Sequence, residues 1–407
     1  MATIVSAQTG LFRSTTTWVG GVVPTTGDVA QVATGHVVTI DQNATCDAIE
    51  SLNTTGYFVL NAGVTLTATV RGGATAANGY TLQFSGTTNA TIVGNVTATQ
   101  NTTAAIVVRH NGTAGTLNIT GNVTGHTSAS GADAVSIAAG GSVSVTGNVT
   151  GGGNSEGIVA VTTATVTVVG NVTGGTSTGG STAYGISSAS GHVQVTGTVT
   201  GGSGAASSSS VDRAGIFGQR VTVTGDVYGG LSSPGLFISG IASSTSAGVG
   251  EHTINGNVYA SSTFPAVCTD PLGTNGSDCL LTINGDVVDD AKGRAAVAVS
   301  GRMRISNVNT SSHAMRTGAY TYTGADLNTG TLATYVATTA DDVLSEADVR
   351  SGTSYAGGTK TGTLAVPPAA SVAIGVPVDD EVGTAAVTAA DIATLVGAQI
   401  AAAVTAP

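Results

Sequence analysis

Charge is the scarcest property of this chain. Asp, Glu, Lys and Arg make up 9% of the 407 residues, against roughly a quarter in an ordinary globular domain. Of the 12 basic residues only Lys292 and Lys360 are lysines, and no basic stripe is present, which argues against nucleic acid as a partner. Aromatic residues are 4%, with one tryptophan. No apolar run approaches the roughly 20 residues that span a bilayer as a helix, so no membrane partner is expected. Met1 to Ser6 carries no basic start and leads into polar sequence, so no secretory leader is expected. Three cysteines do not make a disulfide framework. Cys268 and Cys279 are a candidate disulfide across a loop, and Cys46 is expected to be alone and buried.

What remains is Gly, Thr, Ser, Ala and Val, with 60 glycines. β-Branched residues favour strands, and Gly, Asn and Ser favour turns. The expected class is all-β with many short strands. The formal charge is −11, and acid gathers after Ala340 in Asp341, Asp342, Glu346, Asp348, Asp379, Asp380, Glu381 and Asp391.

One phrase recurs from Ile92 to Val288: an alternating apolar strand, then Gly-Asn or Gly-Asp, then Val. Its turn residues are Gly94-Asn95, Gly121-Asn122, Gly147-Asn148, Gly170-Asn171, Gly197-Thr198, Gly225-Asp226, Gly256-Asn257 and Gly285-Asp286. Ile305-Ser306-Asn307-Val308 is a worn ninth copy. The glycines are 27, 26, 23, 27, 28, 31 and 29 residues apart. A period in the twenties means one supersecondary unit per repeat, with room for three short strands. A second apolar strand precedes the phrase in Ala134–Ile137, Gly157–Ala160, Gly185–Ser187 and Gly215–Phe217. Alternation places Val143 and Val145 on one face and Ser142, Ser144 and Thr146 on the other. One unit cannot bury its apolar face alone, but stacked units can. The prediction is a right-handed parallel β-helix whose Gly-Asn pairs are corners and ladders.

Two stretches outside the repeat carry resemblances. Trp18-Val19-Gly20-Gly21, Val23-Pro24, Gly27-Asp28 and Gly35-His36-Val37-Val38-Thr39-Ile40-Asp41 form a run that resembles the starts of G8-like and related β-helical surface proteins, and such runs are common in bacteriophage appendage proteins. The resemblance implies that the segment begins and caps the β-helix, with Trp18 as a core or cap residue. Ala347-Asp348-Val349-Arg350-Ser351-Gly352-Thr353-Ser354-Tyr355, Gly357-Gly358 and Lys360-Thr361-Gly362-Thr363-Leu364-Ala365-Val366-Pro367 resemble segments of phage and prophage structural proteins. This implies a virion origin without fixing head or tail.

Four regions are expected: residues 1–60 as an N-terminal cap with the first rungs, 61–310 as the solenoid, 311–370 as a small β-rich region, and 371–407 as a linker and C-terminal helix. Short strands are read at Tyr320–Tyr322 and Leu332–Val336. The helix reading rests on Thr388 as N-cap, Asp391 in capping-box position and a stripe of Ile392, Leu395, Val396 and Ile400. That stripe is expected to serve oligomerisation or docking, or to fold back as a cap.

Candidate chemistry is sparse. Glycosidases need paired carboxylates roughly 5 to 10 Å apart. Asp226 and Asp286 replace the repeat's Asn two rungs apart, roughly 10 Å, a separation just compatible with an inverting pair. Phe217, Tyr228, Phe237, Tyr259 and Phe264 cluster in the later rungs. Tyr228 and Tyr259 follow equivalent valines and are read as an exposed two-tyrosine ladder. The insertion Phe264–Leu280 is a pinned loop, or a receptor-contact or Ca²⁺ loop with Asp270 and Asp278 as ligands, although their spacing is not that of an EF-hand. The histidines His110, His126, His192, His252 and His313 are scattered, and no cofactor motif is present. No cofactor is expected.

The favoured expectation is a non-enzymatic, surface-exposed virion protein, a β-helical fibre, spike or capsid decoration. It would be a homotrimer touching other virion structural proteins, with a host surface glycan as a further partner. The alternatives are a polysaccharide-depolymerising tailspike and a bacterial surface adhesin.

Overall fold

The structure is a computed structural model. It describes residues 1–51, 55–72, 80–99, 105–127, 132–161, 164–177, 182–204, 214–230, 236–238, 251–259, 267–269, 280–285, 287–288, 297–298, 302–305, 320–321, 331–332, 354–355, 360–361, 377–378, 381–382 and 394. The chain divides into two compact units, Met1–Ala340 and Asp341–Pro407.

The first unit is a parallel β-solenoid with three sheets running along it. The first sheet begins with Thr3–Val5 and Val29–Val32, continues through Val96–Ala98 and Val123–Thr124, and extends to Val287–Val288. The second runs from Gly10–Leu11 through Val37–Ile40 and Ala132–Ile137 to Val297–Ala298. The third runs from the start of Ala44–Ser51 through Thr116–Thr120 and Ser142–Thr146 to Arg302–Ile305. From the turn of Ala90–Val93 on, each turn visits the sheets in that order, with a glycine bend, mostly Gly-Asn or Gly-Asp, returning the chain from the third sheet to the first. Long strands such as Ile186–Thr196 and Ile216–Thr224 serve the second and third sheets in succession.

Period-two alternation builds the core. Ile92, Ile119, Val145, Val168, Val195, Val223, Ile254 and Ile283 stack in register in the third sheet. Val96, Val123, Val149, Val172, Val199, Val227 and Val258 do so in the first. All are buried. Each such side chain contributes on the order of 2 kcal/mol of burial, and only because the turns above and below cover it.

The bend between the third and first sheets explains its own sequence. Gly94, Gly121, Gly147, Gly170, Gly197 and Gly225 adopt φ between 144° and 151°, a region that is essentially glycine's alone. An added Cβ at Gly121, Gly147, Gly170, Gly197, Gly225, Gly256 or Gly285 would overlap the carbonyl oxygen of the glycine one turn back. The next residue has a backbone N–H with no ladder partner, and the preceding turn's side chain accepts it. Asn122 N–H donates to Asn95 Oδ1 (2.8 Å), Asn148 N–H to Asn122 Oδ1 (2.9 Å), and Asn171 N–H to Asn148 Oδ1 (2.9 Å).

Pairing starts at Thr3, well before the first Gly-Asn phrase. Residues 12–22 close this end with two short 3-10 turns, Thr15–Thr17 and Val19–Gly21. Trp18 is 2% exposed. Its Nε1 donates to Phe12 O at 2.7 Å, and its ring meets Phe12 edge-on with centroids 5.3 Å apart.

Tyr320–Thr321 pairs antiparallel with Thr331–Leu332. In the second unit Ser354–Tyr355 pairs antiparallel with Lys360–Thr361, and Pro377–Val378 with Glu381–Val382. The last pair lies in the stretch expected to be linker and helix. Of the expected helix only Thr394 is described, so Ile392, Leu395, Val396 and Ile400 lie outside the described residues.

Gly147→Ala is expected to destabilise the chain by at least about 2 kcal/mol, because strain at positive φ adds to overpacking. Gly20→Ala has positive φ but open space around the new methyl group, and is expected to cost only about 1 kcal/mol. Chemical denaturation followed by circular dichroism checks both. Equal losses would show that the stacked carbonyl does not constrain the corner.

Candidate functional site

The residues singled out by the repeat belong to the corner. Asp226 takes the place of Asn there: its Oδ1 accepts Asn257 N–H at 2.8 Å, and its Oδ2 accepts the Tyr228 hydroxyl at 3.4 Å. Asp286, Asp270, Asp278 and Cys279 lie outside the described residues. Cys268 is placed only through its strand, Val267–Thr269, in the second sheet. Cys46 is a buried free thiol, pushed up to about 12 by desolvation. His36 Nδ1 shares a hydrogen with Ser6 Oγ at 2.9 Å. Among the described residues no group of three His, Cys, Asp or Glu side chains comes together to hold a metal. No helix among them is long and apolar enough to cross a membrane.

The structure does bring two carboxyl groups together. Val135 pairs with Ile158 across successive turns of the second sheet, so Asp133 and Glu156, each two residues earlier, are neighbours. Glu156 N–H donates to Asp133 Oδ1 at 3.3 Å, and the two side chains are hydrogen-bonded to each other. Thr182 Oγ1, from the following turn, donates to Glu156 Oε1 at 2.8 Å.

Loops held by backbone hydrogen bonds stand beside the half-buried pair. They connect the first sheet to the second and stack on one another beside the solenoid. Gly151 N–H donates to Thr173 O (2.9 Å), Gly175 N–H to Ala183 O (2.7 Å), and Ser203 N–H to Gly175 O (2.9 Å). Thr176–Ser177 and Ser203–Gly204 form a small parallel sheet of their own. Tyr184, buried with Ala214, stacks on Phe217 with centroids 4.9 Å apart.

Burial governs the electrostatics of the pair. Desolvation, then the charge of Asp133, pushes Glu156 up to about 8. Desolvation also raises Asp133, offset in part by the hydrogen bonds it receives from Glu156. Near neutral pH Glu156 therefore keeps its proton and donates it within the pair. Carboxyls in direct contact leave no room for a sugar and a water between them, unlike glycosidase pairs roughly 5 to 10 Å apart. This arrangement stores a proton.

By the repeat phrase alone these are two scattered acids. A signal for the pair is nonetheless present in the sequence: they lie 23 residues apart, which is the spacing of Gly147 and Gly170 across the same interval. The solenoid also buries two histidines. His110 Nδ1 accepts Gly112 N–H at 3.1 Å, and His252 Nδ1 accepts Val221 N–H at 3.2 Å. Desolvation lowers both, His252 to about 3.

Comparison with known protein families, with curated proteins and with solved structures finds no match to this chain.

Stability should depend on pH in two opposed ways. Glu156 is raised from 4.5 to about 8 in the folded chain. Its contribution is therefore complete below pH 4.5 and lost as pH rises through about 8. His110 and His252 are lowered from 6.5. Their contribution is present above pH 6.5 and lost as pH falls. Between about pH 7 and about pH 9 the histidines no longer titrate. The melting temperature should fall across that range in the natural chain and stay flatter in Glu156→Gln. Parallel slopes in the two proteins would refute the assignment.

Proposed function

We propose that this chain is a non-enzymatic structural protein of a phage particle, a β-solenoid rod exposed on the particle surface as fibre, spike or capsid decoration. The observation that carries the reading is the parallel pairing of the described strands, turn on turn, from Thr3 to Ile305. Turns are held by their neighbours, and in the first and third sheets around Thr116–Thr150 the outward positions are Thr, Ser and Asn. Such a rod gains length by adding turns, and its repeating surface is hydrogen-bonded and low in charge. The resemblance of the Trp18–Asp41 run and of the Ala347–Pro367 segment to phage structural sequences supports a virion setting. In this reading the chain acts as a homotrimer that meets other virion proteins, with Ile392, Leu395, Val396 and Ile400 as the assembly stripe. A host surface glycan is a further partner.

Particles purified from a lysate of the host can be labelled with gold-coupled antibodies against the purified chain. Label on intact particles is the expected result, and label confined to host cell-wall fragments would overturn the reading. Incubation of the purified chain with host polysaccharide should release no oligosaccharide. Release that Asp226→Asn abolishes would make it a depolymerase instead.

A further inference from the structure

The outer column of the first sheet changes character along the rod. Thr97, Thr124, Thr150, Thr173 and Thr200 stand in register on successive turns, and the column continues as Tyr228 and Tyr259. The alternation that buries Val227 and Val258 turns both phenols outward. Their rings are stacked face to face, with centroids 4.4 Å apart and planes 2° from parallel. The corner residues hold the hydroxyl ends: Tyr228 Oη donates to Asp226 Oδ2 and Asn257 Nδ2 donates to Tyr259 Oη, each at 3.4 Å. Tyr228 is 36% exposed, so a small oxidant in water reaches it.

We propose that Tyr228 and Tyr259 form an oxidative cross-linking site, at which a one-electron oxidant of the peroxide class joins two adjacent turns through a dityrosine. Each phenol loses one electron and its hydroxyl proton. The two phenoxyl radicals couple through ring carbons ortho to oxygen. Each coupled carbon then gives up its hydrogen as a proton while its oxygen takes one up, restoring two phenols. In sum one C–C bond forms, two C–H bonds break, two protons go to water and two electrons go to the oxidant. With persulfate as oxidant, those electrons convert one persulfate to two sulfates.

Position is what sets this pair apart. Parallel rings in contact turn an encounter between two radicals into a step within one molecule, and proximity of that kind accelerates coupling by orders of magnitude. Tyr57 and Tyr80 are also close, at 4.7 Å, but meet at 63° and are half-buried. Edge meets face there, so the ortho carbons do not lie over one another. Tyr184 has a phenylalanine, Phe217, as its stacking partner.

The test oxidises the dilute full-length chain with persulfate activated by a light-excited ruthenium complex. Digestion follows with trypsin and a glutamate-specific protease, which cuts at Glu251 between the two tyrosines. The expected product is a pair of peptides joined through Tyr228 and Tyr259, lighter by two hydrogens and fluorescent as dityrosine. Tyr228→Phe and Tyr259→Phe each keep a ring in the stack, and both should abolish the joined pair. Three results would overturn the proposal: no joined peptides, joining through other tyrosines in comparable yield, or joining only between separate chains.

Discussion

The solenoid depends on a close approach between the carbonyl of one corner glycine and the α-carbon of the next. Neighbouring strands lie about 4.8 Å apart, and at the bend the carbonyl of one turn points along that gap instead of into a ladder. No Cβ fits there, as the overlap of an added methyl group at Gly147 with Gly121 O makes plain. Glycine is therefore fixed, and the rest of the phrase follows. The residue after it must supply an acceptor for the next turn's stranded N–H, which Asn does and Asp226 also does. Two residues beyond the glycine the strand points inward again, and a valine fills the core.

That constraint explains which parts of the fold were legible in the sequence. From Ile92 to Val288 the turns repeat a glycine corner followed by Asn, Asp or, at Thr198, Thr, so the period is plain. Earlier turns are built differently. Ala68 lies against Gly94 where later turns place a glycine, and between Thr45 and Ala48 the register shifts around Cys46 and Asp47. Neither leaves a Gly-Asn phrase, although both strands belong to the same sheets. For Trp18 a cap or core role was implied only by the resemblance of its run to other β-helix starts, and its bond to Phe12 O depends on two 3-10 turns that no repeat announces. The Asp133–Glu156 contact was hidden for another reason. It depends on the length of the intervening turn, and a reading confined to the corner never compares the acids with each other.

Among the described residues Asp41 Oδ1 and Thr81 Oγ1 are buried without a hydrogen-bond partner, whereas the buried histidines and the carboxyl pair are held by their own neighbourhood. His110 and His252 accept backbone N–H groups and stay neutral because charging them in an apolar core would cost far more than the hydrogen bonds return. Asp133 and Glu156 solve the same problem by sharing a proton, with Thr182 completing the network. The two solutions titrate in opposite directions, so the chain is most secure where Glu156 keeps its proton and the histidines are neutral.

In a one-dimensional stack, an interaction strengthens the turns it joins and leaves distant ones untouched. The carboxyl pair ties the turns of Asp133 and Glu156, and Thr182 extends the tie to a third. The stacked tyrosines act farther along, where the outer column changes from threonine to aromatic. Between them lies Thr198, whose N–H donates to Asn171 Oδ1 but whose place in the ladder of acceptors is taken up again only by Asp226, which accepts Asn257 N–H. Side-chain ties thus stand on either side of the position where the corner departs from Asn. A rod assembled this way keeps a uniform core while varying its exterior turn by turn, because core and corner are set by glycine and valine and leave the outward positions free.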